Sequence, residues 1–207
     1  MNIDHFRKSG HRFFGRIGMY EVPADRSMEI DEPEDLRLAN TLEIQEKSMP
    51  SRESLQAIKA VVFDFDGVMT DDQVYMTETG EEMVMASRSD GMGISALKNA
   101  GLKLLILSKE RNPVVARRAE KLQIEVIQAC DNKLEALTEW LSKNQLPLSQ
   151  CAYVGNDIND LQCMQAVKLA IAPIDAHLLA TQAAHWRLTR AGGKGAIREL
   201  SDAIINC

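Results

Sequence analysis

Four carboxylates fall within nine residues where Val-Val-Phe-Asp-Phe-Asp-Gly-Val-Met-Thr-Asp-Asp places Asp64, Asp66, Asp71 and Asp72 behind an apolar run. Asp64 and Asp66 are two apart, so on a strand both side chains project to the same side. Gly67 then lets the chain turn away from a sheet. Two carboxylates brought together at a strand end need a cation or a shared proton. A hard divalent ion such as Mg2+ meets that need, because it takes oxygen ligands and leaves room for a phosphate. On these residues alone a solvated Asp-x-Asp-Gly turn stands as the competing reading, since Asp and Gly are common in turns.

Later strand ends tell against the turn. The run Leu-Leu-Ile-Leu-Ser ends at Ser108, whose hydroxyl can donate to an anion. Cys-Ala-Tyr-Val-Gly-Asn-Asp-Ile-Asn-Asp ends a strand at Gly155 and delivers Asp157 and Asp160 into the next loop and helix start. Lys133 opens a helix after Gln-Ala-Cys-Asp-Asn. A parallel sheet would gather these carboxylates, a hydroxyl and an ammonium along one edge. That set suits phosphoryl transfer, which needs a nucleophile, a proton shuttle, phosphate clamps and a metal.

The elements that must position them follow from the hydrophobic pattern. From about Ile58, apolar runs (57–65, 102–108, 124–129, 151–156 and 167–172) alternate with amphipathic stretches. In 131–144, Leu134, Leu137, Trp140 and Leu141 share one helical face. In 112–122, Asn112 can cap a helix and Pro113 suits its first turn. Strand-helix alternation with continuous apolar strands predicts an α/β fold, a parallel sheet with helices on both faces. Ligands bind such sheets at the C-terminal strand ends. Between Asp72 and Asp90 two short strands around Thr79-Gly80 predict a small β-hairpin flap, with Asp71 and Asp72 as a charged loop leading into it. Residues 1–50 are polar and break the rhythm, and the Pro and Ser of 48–54 mark a linker.

The 207 residues carry 24 Lys and Arg against 30 Asp and Glu, a net charge of −6, without the basic stripe of a nucleic-acid binder. No apolar run approaches a membrane span and no signal peptide opens the chain. Cys130, Cys151, Cys163 and Cys207 lie far apart, as scattered reduced thiols of a cytoplasmic protein would. His177 and His185 have no metal-like spacing and read as packing or surface residues. Met76, Met83 and Met85 read as core or interface filler. The glycines of Ala-Gly-Gly-Lys-Gly-Ala-Ile-Arg-Glu-Leu do not form a Walker loop.

Taken together, Asp-Phe-Asp-Gly-Val-Met-Thr-Asp, the strand ending in Ser108, Lys133 and Gly-Asn-Asp-Ile-Asn-Asp-Leu-Gln-Cys-Met resemble the four ordered motifs of the haloacid dehalogenase superfamily over residues 58–205. The short hairpin, Arg-Ser-Asp-Gly-Met-Gly-Ile and the glycine-containing tail resemble one branch of it. That branch holds the 3-deoxy-D-manno-octulosonate 8-phosphate phosphatases and the phosphatase-like domains attached to CMP-sialic acid synthetases (acylneuraminate cytidylyltransferases). The resemblance implies a Rossmann-like fold with the hairpin in place of a large cap. It implies that Asp64 is the nucleophile, forming an aspartyl-phosphate, and Asp66 the general acid and base. It further implies that Asp64, the backbone carbonyl of Asp66 and Asp157 hold Mg2+, with Asp160 in support, and that Ser108 and Lys133 bind the phosphoryl group. In that branch the tail lies near a neighbouring subunit's active site, so Lys194 and Arg198 would meet the carboxylate of the substrate held there. A homotetramer is implied too, because a capless domain borrows its lid from its neighbours. The octulosonate phosphatases continue their second motif as Gly-Arg, whereas Ser108 is followed by Lys109-Glu110-Arg111-Asn112, closer to the sialic acid branch. The expected substrate is therefore a 2-keto-3-deoxy sugar acid phosphate, of nine carbons or eight.

Residues 13–40 are similar to the end of the CMP-sialic acid synthetase domain, with Asp31 at a metal-binding aspartate and Glu29 replacing the neighbouring acid. The Gly-rich CTP loop of that family is missing, so no cytidylyl transfer is expected of this polypeptide. The domain reading is 1–50 as a remnant of that synthetase domain plus linker, and 51–207 as the phosphatase-like domain. Two rivals remain: an oligomerisation module without catalysis, and the C-terminal part of a cytidylyltransferase. The first is not forced, because Asp64, Asp66, Ser108, Lys133 and Asp157 are all present.

Overall fold

The computed structural model describes residues 3–10, 30–37 and 49–207. The chain divides into two units, Met1–Leu42 and Glu43–Cys207. In the first, Ile3–Ser9 is a helix (α1), and a helical stretch at 33–37 is preceded by exposed Asp31. The Asp35 carboxylate accepts the backbone N–H groups of Asp31 and Glu32 at 3.2 and 2.9 Å. Glu29 lies outside the described residues.

In the second unit the apolar runs become six parallel strands: β1 (Ala60–Phe63), β4 (Lys103–Leu107), β5 (Glu125–Ile127), β6 (Cys151–Val154), β7 (Leu169–Ala172) and β8 (Trp186–Arg187). Their order is β5-β4-β1-β6-β7-β8, with β1 near the middle. The sheet alternates side chains between two cores, as period-two geometry dictates. Val61, Phe63, Leu104, Ile106, Ala152 and Val154 face one core. Ala60, Val62, Leu105, Leu107, Cys151 and Tyr153 face the other.

The first core is closed by α3 (Arg88–Asn99), α4 (Val114–Leu122) and α8 (Ala196–Ile205). The second is closed by α5 (Lys133–Lys143), α6 (Leu161–Ala166) and α7 (Leu178–Ala183). A short helix, α2 (Arg52–Gln56), leads into β1. Leu137, Trp140 and Leu141 of α5 are buried as their spacing predicts. The Asn112 carboxamide oxygen accepts the Val114 N–H at 3.0 Å, and Pro113 occupies the N-cap of α4. The α/β fold with helices on both faces is thus as read from the pattern. The two-residue edge strand β8 was too short to register as a run. No helix among the described residues is long and apolar enough to cross a membrane.

The hairpin forms from β2 (Thr70–Met76) and β3 (Glu82–Ala86). It starts earlier than predicted, so Asp71 and Asp72 lie inside β2 and not in a loop. The register slips between Thr70 and Val74, and Asp72 takes a left-handed conformation at φ 63°. That distortion turns the Asp72 side chain back towards the end of β1.

The segment Arg-Ser-Asp-Gly-Met-Gly-Ile and the glycine-containing tail meet in one contact. Helix α8 begins at Gly195 without a cap of its own. Buried Asp90 on α3 supplies one, accepting the N–H groups of Gly195 and Arg198 at 3.2 and 2.9 Å. Burial pushes the Asp90 carboxyl up, while these two N–H groups pull it back. Asp90→Ala leaves both donors without a partner and lowers the unfolding free energy by about 1–3 kcal/mol. The measurement is a urea titration at unchanged m-value, and an unmoved midpoint would contradict the capping role.

Candidate active site

Strands β1, β4 and β6 end at the same edge, and each terminal polar residue is delivered by the register of its neighbour. Phe63 pairs with Ile106 and Val154, so the residues after them rise side by side. Asp64, Asp66, Ser108, Asn156 and Asp157 line a cavity of about 210 Å³ there, with Asp72, Lys109 and Glu110 at its walls. The structure therefore brings together the predicted Asp64, Asp66, Ser108 and Asp157.

Lys133, at the start of α5, lies beneath them. Its Nζ is 2.8 Å from Asp64 Oδ1 and 2.8 Å from Asp160 Oδ1, with all three side chains buried. One ammonium between two buried carboxylates cannot balance both when both are ionised. Burial first, and then Asp160, push the Asp64 carboxyl well above the usual carboxylate range, against the pull of Lys133. Burial opposes the charge on Lys133, but Asp64 and Asp160 outweigh it and raise its pKa. Asp64 Oδ1 also accepts the Phe65 N–H at 2.7 Å. Both hydrogen bonds fall on one oxygen, and Oδ2 is left to react.

Ser108 is buried, and its Oγ accepts the Glu110 N–H at 3.0 Å. The hydroxyl proton remains to donate into the cavity. Asp66 is pushed up to about 6 by partial burial, then by Glu110 and Asp72.

The supporting residue Asp160 is the most enclosed, at 0% exposure. Its Oδ2 accepts the N–H groups of Asn156 and Asp157 at 2.9 and 3.2 Å. Asp157 itself is exposed, and its Oδ1 caps the following turn through the Ile158 N–H at 2.7 Å.

Sequence reasoning passed over Asn156, which the pattern Val-Gly-Asn-Asp places directly at the strand end. Its side chain packs on Gly67, where a Cβ would overlap the carboxamide. Its buried Oδ1 has no hydrogen-bond partner. Among the described residues no three His, Cys, Asp or Glu side chains converge on one point, so a cation needs amide or carbonyl oxygen as well. Asn156 Oδ1, with Asp64 and the residues beside it, provides an oxygen-only donor set. The unbalanced charge around Lys133 and that orphaned oxygen both fit a hard divalent ion.

The tail braces this edge. Gly193 donates to the Val68 carbonyl at 3.0 Å, and a Cβ at Gly192 would overlap the Gly67 carbonyl. Within one chain the two tail residues expected at a neighbour's substrate lie apart from this cavity. Arg198 is bound to Asp202 at 2.8 Å and, with Lys194, lines a separate cavity of about 690 Å³ beside Ser87 and Ser89. Lys194 Nζ comes within 3.9 Å of Asp71 at the root of the hairpin. His177 caps α7, and the His185 ring accepts the Ala170 N–H, so both are bonded into the framework. The four cysteines are free, and burial pushes the thiols of Cys151 and Cys163 up to about 12.

Fold and site together define a doubly covered parallel sheet with a polar cavity at its carboxyl edge, where enzymes of α/β architecture bind ligands. Residues 98–198 match the family model described as haloacid dehalogenase-like hydrolase. A 3-deoxy-D-manno-octulosonate 8-phosphate phosphatase of Yersinia pestis is 36% identical over 149 residues, 72% of this chain and 80% of that protein. The chain thus belongs to the haloacid dehalogenase-like hydrolases, on the branch of their phosphatases. The N-acylneuraminate cytidylyltransferase A of Danio rerio is 28% identical over 92% of the chain, which spans only 45% of that protein's length. A solved 3-deoxy-D-manno-octulosonate 8-phosphate phosphatase of Moraxella catarrhalis, in complex with magnesium, phosphate and KDO, superposes with a TM-score of 0.72 at 32% identity. The alignment covers 75% of this chain and 90% of that one.

Glu110 is the largest charge acting on Asp66. Glu110→Gln keeps the acceptor of the Arg111 and Asn112 N–H groups but removes that charge. The Asp66 carboxyl then titrates below its present value of about 6, followed by carboxyl-carbon NMR. An unmoved midpoint would show that Glu110 does not act on it.

Proposed function

We propose that the chain is a Mg2+-dependent phosphomonoesterase acting on a 2-keto-3-deoxy sugar acid phosphate of eight or nine carbons. The observation that carries this reading is Asp64, whose Oδ1 is fixed by Lys133 and the Phe65 N–H and which lines one cavity with Ser108 and Asp66. The magnesium, phosphate and sugar acid of the Moraxella catarrhalis complex support it.

In the first step Asp64 Oδ2 attacks phosphorus, and the bond from phosphorus to the sugar oxygen breaks. Asp66 gives its proton to the departing oxygen, which suits a carboxyl held at about 6. Lys133 has a third N–H beyond those on Asp64 and Asp160, and with the Ser108 hydroxyl it holds the phosphoryl oxygens. In the second step Asp66 takes a proton from water, the water oxygen bonds phosphorus, and Asp64 leaves. Asp64, the Asp66 carbonyl, Asn156 and Asp157 would hold Mg2+, which supplies charge neutralisation to the transferring group. The tail residues Lys194 and Arg198 stay outside this scheme.

With Mg2+, the purified protein is expected to release phosphate from eight- or nine-carbon acid phosphates, and Asp64→Asn to lower kcat by about a thousandfold or more. EDTA abolishes the release and Mg2+ restores it. Comparable kcat/KM for unrelated phosphates would remove the sugar acid from the proposal, and equal activity in Asp64→Asn would remove the mechanism.

The hairpin supports a homotetramer in which neighbours cover one another's cavities. Val74, Tyr75, Met76, Met83 and Met85 are all half exposed or more, and Tyr75 faces Met83 across the hairpin. Light scattering is expected to give four times the 23.1 kDa chain mass. Replacing both Tyr75 and Met83 by Asp should lower it, and a monomeric parent would contradict the assembly.

A second reading rests on the zebrafish match. Coverage of 92% of the chain necessarily takes in part of residues 1–50, in line with a synthetase remnant there. This polypeptide would then be the C-terminal part of an acylneuraminate cytidylyltransferase whose last domain serves assembly. An upstream reading frame encoding a CTP-binding loop would support it, and phosphate release that depends on Asp64 would speak against the purely structural role.

A further inference from the structure

The geometry points to Tyr153 as a positioning residue for Lys133, acting through Asp160. The inference rests on the phosphatase reading above and adds to it a group that never meets the substrate. Tyr153 lies on β6, is 0% exposed, and packs in the second core with Leu137, Trp140 and Cys163. A phenyl ring would fill that apolar space equally well, and burying a hydroxyl is unfavourable unless it is bonded. The hydroxyl is bonded to one atom of consequence. It donates to Asp160 Oδ1 at 2.8 Å, the same oxygen that accepts Lys133 Nζ at 2.8 Å.

Asp160 is thereby filled. Two backbone N–H groups occupy Oδ2, and Tyr153 and Lys133 share Oδ1, using the roughly four acceptor positions of a carboxylate. The consequence falls on Lys133, which must serve Asp64 Oδ1 at 2.8 Å as well. With Tyr153 answering part of the demand of Asp160, the ammonium stays centred between the two carboxylates and aims its third N–H at the phosphoryl site. Without the hydroxyl, Lys133 is the sole donor to Asp160 Oδ1 and is drawn down, away from Asp64 and the phosphate.

The experiment compares Tyr153→Phe with Trp140→Phe. The second removes another buried-ring hydrogen bond, from Trp140 Nε1 to Glu125 at 2.9 Å, away from the cavity. In the Mg2+-loaded protein, kcat/KM on the sugar acid phosphate and the affinity for inorganic phosphate are both expected to fall about tenfold in Tyr153→Phe, the size of one charge-assisted hydrogen bond. Trp140→Phe should lower the denaturation midpoint and leave both unchanged. Retention of both quantities in Tyr153→Phe overturns the proposal, and so does an equal loss in Trp140→Phe. If the wild type turns over no sugar phosphate but Tyr153→Phe still binds phosphate about tenfold more weakly, the positioning role stands and the phosphatase reading falls. A wild type that binds no phosphate overturns both. Should Tyr153→Phe fail to fold, the wild-type Tyr153 hydroxyl proton gives the answer by NMR: it shifts when inorganic phosphate is added, and its indifference to phosphate overturns the proposal.

Discussion

One ammonium shared by two buried carboxylates is the interaction on which the rest of the site depends. Lys133 reaches Asp64 and Asp160 at the same distance, 2.8 Å, and so ties together the end of β1, the start of α5 and the turn before α6. None of the three charges has water to fall back on, and removing one partner of such a group typically costs about 3–5 kcal/mol. The arrangement also divides the labour of Asp64, holding one oxygen and leaving the other. Its charges balance only while one carboxyl keeps a proton, in line with burial and Asp160 pushing the Asp64 carboxyl up. Stability and the geometry of the cavity therefore draw on the same three side chains.

The sheet makes that possible by keeping polarity at its ends. Within β1 every residue is fully buried, alternating between two apolar cores, so charge can appear only where the strand stops. Parallel pairing places neighbouring stops at one edge. Tyr153 is the exception, a polar group carried one position inside the strand, and its hydroxyl is bonded to the carboxylate at the site's base.

Much of this was legible in the residues, for identifiable reasons. Apolar runs that end in Asp64, Ser108 and Gly155 announce both a strand and its functional terminus, because burial and polarity change at one peptide bond. Lys133 could be placed at a helix start, but its partner Asp160 lies twenty-seven positions away, and no local spacing encodes that pairing. Asn156 was hidden by the acids around it, since a neutral amide looks inert until its oxygen is found buried and unpartnered. Asp72 was read as loop because a left-handed residue within a bulged strand leaves no periodic trace. Arg198 was tied to a neighbour's substrate by resemblance alone, and within the chain its guanidinium meets Asp202 one helical turn on.

The contact between the tail and the loop after β1 has a consequence for how the molecule comes into being. Gly192 and Gly193 lie against the backbone of Gly67 to Asp71, and Asp90 secures the helix that follows. During synthesis, the loop bearing Asp66 leaves the ribosome well over a hundred residues before its brace. A polypeptide released short of residue 192 would carry every acid of the site in its sequence, and its loop would keep its own turn bonds to the Phe65 carbonyl but lose the Gly193 brace.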